Sequence, residues 1–258
     1  MGEPRHFLCT TCGKCCYGQL PLTCKDAIAF SGLFPLCMIW TPVQRGSKDF
    51  RMARELGAII PQADGKELAS LIVPTAFIPG TFPCPALEDK KICGIHDRKP
   101  SRCRAMPFYP YREERFQGEF LRPREGWECD ISEHAPIIHD GKVVVQREDF
   151  DREKNELLDQ VPLLRRYAEY MLKYTASFAT RLWTASNQPK GGRVVTSLSS
   201  FLTAIRHPDA IGIASKQLPV LEEYAARTSA DPKLAEFHAY YSGWAKEAAH
   251  MSRTPSKN

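Results

Sequence analysis

Ten cysteines dominate the chemistry of this sequence, and all of them lie between Cys9 and Cys129. The first group reads Cys9-Thr-Thr-Cys12-Gly-Lys-Cys15-Cys16, followed by Cys24. Cys84, Cys93, Cys103 and Cys129 form a second group some sixty residues on, and Cys37 stands alone in an apolar run. Disulfides, metal ligation and redox or nucleophilic thiol chemistry compete to explain them. The opening residues carry no apolar signal region, so a reducing compartment is expected, and a chain of this length needs no staples to fold; both count against disulfides. Metal ligation has a geometric basis. Cys-x2-Cys lets two thiolates converge on one ion while the backbone between them turns, and Gly13 eases that turn. Two such units overlap, Cys9/Cys12 and Cys12/Cys15.

Spacing alone leaves the metal open. Cys9, Cys12 and Cys15 match the first three positions of the bacterial ferredoxin run, but Gln19 stands where its fourth cysteine belongs. No C-x3-C-x2-C set and no paired zinc-finger histidines are present. In extended backbone the neighbours Cys15 and Cys16 would point to opposite faces and serve different partners. Eight cysteines, Cys9, Cys12, Cys15, Cys16, Cys84, Cys93, Cys103 and Cys129, suffice for two four-thiolate sites. Cys24 and Cys37 are then extras, Cys37 reading as a buried small hydrophobe. His96, between Cys93 and Cys103, is a further candidate ligand or supporting donor; His134 and His139 follow Cys129.

These segments carry a resemblance. Cys9–Cys16, Cys84-Pro-Ala-Leu87, Cys93-Gly-Ile-His-Asp-Arg-Lys-Pro-Ser-Arg-Cys103-Arg-Ala-Met-Pro107 and Trp127-Glu-Cys129 resemble, in order and spacing, the CxxCxxCC cysteine-cluster family, often called YkgJ-like. The resemblance covers residues 9–129. His96 replaces a common tyrosine, and Lys99 stands where the family's Arg-Pro would place arginine. The family is described as zinc- or iron-chelating and includes the flagellin lysine-N-methylases. The resemblance therefore implies an iron–sulfur cluster ahead of zinc, with the eight cysteines as ligands. For activity, an oxidoreductase, or a methyltransferase using S-adenosylmethionine, stands beside a zinc-stabilised module whose helices bind a protein or peptide partner.

From Arg98 to Arg124 eight basic residues face three acidic ones, an excess equal to the whole chain's net charge of +5. Arg102 and Arg104 are the candidates for holding a cofactor carboxylate or acidic peptide, unless the charges stabilise thiolates or form a solvated stretch. Tyr109 and Tyr111 beside Arg112 do not amount to a nucleic-acid module. No nucleophile elbow, phosphate-gripping glycine loop or HExxH motif occurs.

The elements that must position these residues divide the chain. Residues 1–130 contain thirteen of the twenty prolines, which precludes long uninterrupted helices there. Short helices are expected at Thr23–Ser31 and Lys48–Leu56, a strand at Leu68–Val73, and irregular chain at Pro74–Pro85. After a turn at Asp140-Gly141 and a strand at Val143–Gln146, helical periodicity takes over. Leu157, Val161, Leu164, Ala168, Met171, Tyr174, Phe178 and Leu182 make one apolar face, broken early by Pro162 with Asp159 capping the second piece. Helices follow at Ser197–Arg206, Leu218–Thr228 and Lys233–Met251, the last opened by Asp231-Pro232. Tyr167, Tyr170, Phe237, Tyr240, Tyr241 and Trp244 read as helix-packing residues. The expected fold is α+β and predominantly helical: a loop-rich, metal-stabilised cysteine-cluster domain over 1–135, packed with a helical domain over 136–258. No apolar run reaches the ~20 residues of a membrane span, so a cytoplasmic protein is expected.

Overall fold

The computed structural model describes residues 3–61, 65, 67–88, 92–121, 126–189 and 191–253. Its elements are β1 (Arg5–His6), β2 (Leu20–Pro21), α1 (Cys24–Ala29), β3 (Leu36–Gln44), α2 (Phe50–Leu56), β4 (Ala58–Pro61), β5 (Glu67–Ala76), α3 (Ser101–Arg104), α4 (Gln117–Phe120) and β6 (Ile137–His139). The second half continues with α5 (Arg147–Asp159), α6 (Val161–Tyr174), α7 (Phe178–Ser186), β7 (Val194–Ser197), α8 (Leu198–Ile205), α9 (Ala210–Thr228) and α10 (Ala235–Arg253). The fold is α+β, with helix at 46% outweighing strand at 17%.

The antiparallel sheet centres on β3 and β5, which pair from Leu36↔Ala76 to Gln44↔Leu68. β7 covers the far edge of β3, and β2 and β4 share the far edge of β5. Neither β3 nor β7 was expected. Along β3 the run Leu36–Trp40 is buried without alternation, so the period-2 signal of a half-exposed strand is absent. β5 continues across Pro74, where irregular chain was expected. The carbonyl of Pro74 accepts from Leu22 N on the β2 side, which is where its missing N–H would also point. That position lies between β4, whose pairing ends at Ser70, and β2, whose pairing begins at Thr75, so no ladder bond is forfeited.

The main core lies between this sheet and the later helices, and residues on both sides of 135/136 build it. Trp40, fully buried, donates through Nε1 to Thr196 Oγ1 at 3.0 Å and packs 5.0 Å from Tyr167 and 4.9 Å from Phe178. On α10, Phe237, Tyr240, Tyr241 and Trp244 surround Phe77, and the Tyr241 hydroxyl donates to the Phe77 carbonyl. The expected helical face is divided by Gln160 and residues 175–177 into α5, α6 and α7. Its members are buried except Tyr174, which is 63% exposed. Asp159 ends α5, and Gln160 takes the cap position of α6 without a side-chain bond to it. Asp231 does cap, accepting from Lys233 N at 2.9 Å. α9 begins at Ala210 and runs through Pro219, and the expected strand at Val143–Gln146 is reduced to one bridge between Val144 and His139. No helix among the described residues is long and apolar enough to cross a membrane.

Candidate metal centre

Backbone hydrogen bonds bring the Cys9–Cys16, Cys84–Cys93 and Cys129 segments together. Leu8 and Asp130 exchange both N–H···O bonds, at 2.8 and 3.0 Å, and Thr10 Oγ1 donates to Glu128 O at 2.9 Å. Cys9 and Cys12 are thereby laid beside Cys129. Within the turn, Thr11 and Gly13 adopt positive φ of 56° and 71°, and Cys16 N closes on Gly13 O at 3.0 Å. Cys84 N donates to Cys16 O at 2.7 Å, and the chain then doubles back with Gly94 N on Ala86 O at 2.8 Å, setting Cys93 against Leu87.

Cys103 arrives on α3, whose start is held from behind. Ser101 N donates to Asp26 Oδ2 at 2.8 Å, and Ser101 Oγ donates to Glu156 Oε2 at 2.7 Å. Lys25 and Thr23 also hold Glu156, at 3.1 and 3.2 Å. Those partners keep the Glu156 carboxyl below its ordinary range despite burial, whereas burial pushes Asp26 up.

The thiols act on one another's ionisation, with Cys15 reaching Cys84, Cys103 and Cys129 alike. Cys129 is pushed up to about 11 by burial and by the neighbouring Cys12, Cys9 and Cys15. Cys103 is pushed up to about 12, chiefly by burial and then by Cys84, Cys15 and Cys93. Cys84 is raised by burial, Cys93 and Cys15. Cys15 and Cys16 do not diverge as extended neighbours would: their side chains hydrogen-bond, which lowers Cys15 to about 6 and raises Cys16. Such a pair releases its first proton easily and its second reluctantly. Lys99, rather than an arginine, is the cation that favours the Cys15 thiolate. Cys24 and Cys37 are buried apart from these thiols, and burial raises both.

The remaining candidates are placed as follows. Arg102, 3% exposed, donates to the Phe108 carbonyl, lies 5.3 Å from the Tyr109 ring and brings Nη1 within 3.3 Å of Glu153 Oε2. Those last two atoms are close but not aligned as a hydrogen bond. Arg104 donates to the carbonyls of Lys99 and Asp97, holding the loop that carries Cys93 and Cys103. Both guanidiniums are thus committed to the protein itself. Of the other basic residues, Arg112 pairs with Asp49 and Arg115 with Glu113, while Arg122 and Arg124 lie outside the described residues. His96 is exposed beside Cys93, and His134 is exposed. His139 is buried, with Nδ1 accepting from Gly141 N at 3.1 Å and Nε2 facing Glu114 O at 3.4 Å. Sequence reading missed the acidic group Asp26, Glu153 and Glu156 behind Cys103. Its only signal was Glu153 falling on the same side of α5 as Phe150 and Leu157.

Among the described residues, no three His, Cys, Asp or Glu side chains converge as they stand into a group that could hold a metal ion. Comparison with family models, curated proteins and solved structures gave no match. The likeness to the cysteine-cluster family therefore rests on its motif residues.

Proposed function

We propose that this protein binds a soft metal through two sets of thiolates, as an iron–sulfur cluster ahead of zinc. One set is Cys9, Cys12, Cys15 and Cys129; the other is Cys16, Cys84, Cys93 and Cys103. The observation that carries the reading is that backbone hydrogen bonds join the Cys9–Cys16 segment to the Cys129 and Cys84 segments and double the chain back to Cys93, while Cys84, Cys15 and Cys93 act on the ionisation of Cys103. The donor set suits a soft metal in chemistry: sulfur ligands select iron–sulfur clusters and zinc. The thiols do not form a closed shell as they stand, so binding includes a change of their rotamers. Several are raised in pKa by burial and by each other, a cost that a bound cation removes by displacing the protons. When bound, an iron–sulfur cluster supplies one-electron transfer. Cys9 and Cys15, both exposed, put that chemistry at the surface, within reach of a protein or peptide partner.

Anaerobic purification with iron, zinc and acid-labile sulfide analysis and a visible spectrum tests the reading. Iron with matching sulfide and a brown chromophore is expected; stoichiometric zinc in a colourless protein assigns the sets to a structural, partner-binding role. Cys12→Ala and Cys103→Ala should each lose metal from one set. Full metal content in both variants overturns the proposal.

A further inference from the structure

A second feature lies far from the cysteines in sequence. A cleft of about 320 Å³ opens where α7, β7 and α10 meet. Thr180, Arg181 and Thr184 on α7, with Ser177 at its N-cap and Gln188 just past its end, recur at spacings of three and four, so one face of that helix lines it. Arg193, just before β7, closes the other side. The opposite face of α7 is apolar, with Phe178 and Leu182 buried in the core, and this fixes the polar face outward.

Both arginines are held in place by neutral partners. Arg181 lies 5.7 Å from the Phe178 ring, and Arg193 lies 5.8 Å from the Phe77 ring while donating to Gln19 Oε1 at 2.8 Å. Each is therefore oriented without an ion-pair partner among the described residues. No carboxylate of the described residues lines the cleft. Glu236 acts on Tyr240 from α10, and there Arg181 and Arg193 both oppose it. The floor differs: Ala185, Val194 and Val195 are buried and apolar.

Two guanidiniums outside any ion pair of the described residues, flanked by the hydroxyl-bearing Ser177, Thr180, Thr184 and Tyr240 and by the Gln188 amide, match a dianion with several acceptor oxygens. A phosphoryl group meets that description, carrying close to two charges at neutral pH and three terminal oxygens. The apolar floor suits an organic substituent, and the volume falls in the range of small-molecule sites. We infer that this cleft binds a small phosphate monoester, its phosphoryl group held by Arg181 and Arg193 and its organic part against Val194 and Val195. The inference stands independently of the thiolate proposal.

Calorimetric titration of the full chain with phenyl phosphate and with inorganic phosphate tests it, in about 150 mM sodium chloride, where diffuse attraction is screened beyond about 8 Å. One saturable site is expected, tighter for phenyl phosphate. Arg181→Gln and Arg193→Gln should each weaken binding about tenfold, the scale of a charge-assisted hydrogen bond. Arg166→Gln with Lys173→Gln, both exposed on α6, should leave it unchanged. Should the Arg193 variant lose its fold with its Gln19 contact, Arg181→Gln and Arg181→Glu carry the test alone. Absence of a saturable site, or binding indifferent to the Arg181 variants, overturns the site. Benzoate binding as tightly as phenyl phosphate overturns its assignment to phosphoryl groups.

Discussion

Replacing Glu153 with Gln should change how stability depends on pH, by an amount the structure sets. Burial pushes the Glu153 carboxyl up to about 7 from its ordinary 4.5, and Asp26 and Glu156 add to this, against the opposing pull of Arg102. The native protein therefore holds more protons here than the unfolded chain between those two values. The stabilising contribution is complete below 4.5 and is lost as pH rises through about 7. Integrated from about pH 5 to about pH 8 at 1.36 kcal/mol per unit, the loss is on the order of 2–3 kcal/mol. Glu153→Gln abolishes this titration and keeps the shape. Urea unfolding of both proteins at the two pH values, compared as a difference of differences, cancels other groups that titrate alike in the two, including the thiols. The wild type should lose about 2–3 kcal/mol relative to the variant as pH rises. A constant difference, or a wild type that gains, would mean that Arg102 outweighs desolvation and would refute the reasoning.

Three further outcomes are expected. Metal uptake at about pH 7 should release at least three protons, because Cys84, Cys103 and Cys129 are all raised; calorimetry in buffers of different ionisation enthalpy counts them, and release of none contradicts the assignment. Gln217→Leu should destabilise by about 3 kcal/mol or more, since the Gln217 side chain accepts from Leu36 N at 3.0 Å and donates to the carbonyls of Ser31 and Phe34. A loss under about 1 kcal/mol in urea unfolding would show those backbone groups finding other partners. Gly57→Ala should cost about 2 kcal/mol, because a Cβ there would collide with the backbone oxygens of Ser70 and Ala53; an unchanged melting temperature would count against that close approach.

Periodicity made α6, α7, α8, α10 and the later part of α9 legible, because each packs one stripe on the core and exposes the other; α5, which buries only Phe150, Glu153 and Leu157, was missed before Leu157. The sheet was far less legible. Leu36–Trp40 is buried on both faces and so carries no alternation, and β7 is only four residues long. Pro74 reads as a break until its place between β2 and β4 is known. The cysteine segments could be picked out because thiols are rare and their spacing is constrained. What joins them could not, since Cys16 O, Asp130 O and Asp26 act through backbone or one-off contacts that have no period. Arg102 and Arg104 illustrate the same limit: charge was visible, but the carbonyls of Phe108, Lys99 and Asp97, which take up their donors, were not.

The pairing of β3 with β7 also bears on how the chain is made. Trp40 meets Thr196 across 156 residues. At ~5–20 residues per second, β3 leaves the ribosome roughly 8–30 s before its outer partner exists. For that interval the Cys37–Trp40 edge has no strand to receive it, and apolar edges of this kind pair readily with other chains. A nascent chain stalled near residue 135 would present the same open edge. Until Val194–Ser197 emerges, the Cys37–Trp40 edge of β3 therefore stays open to pairing outside its own sheet.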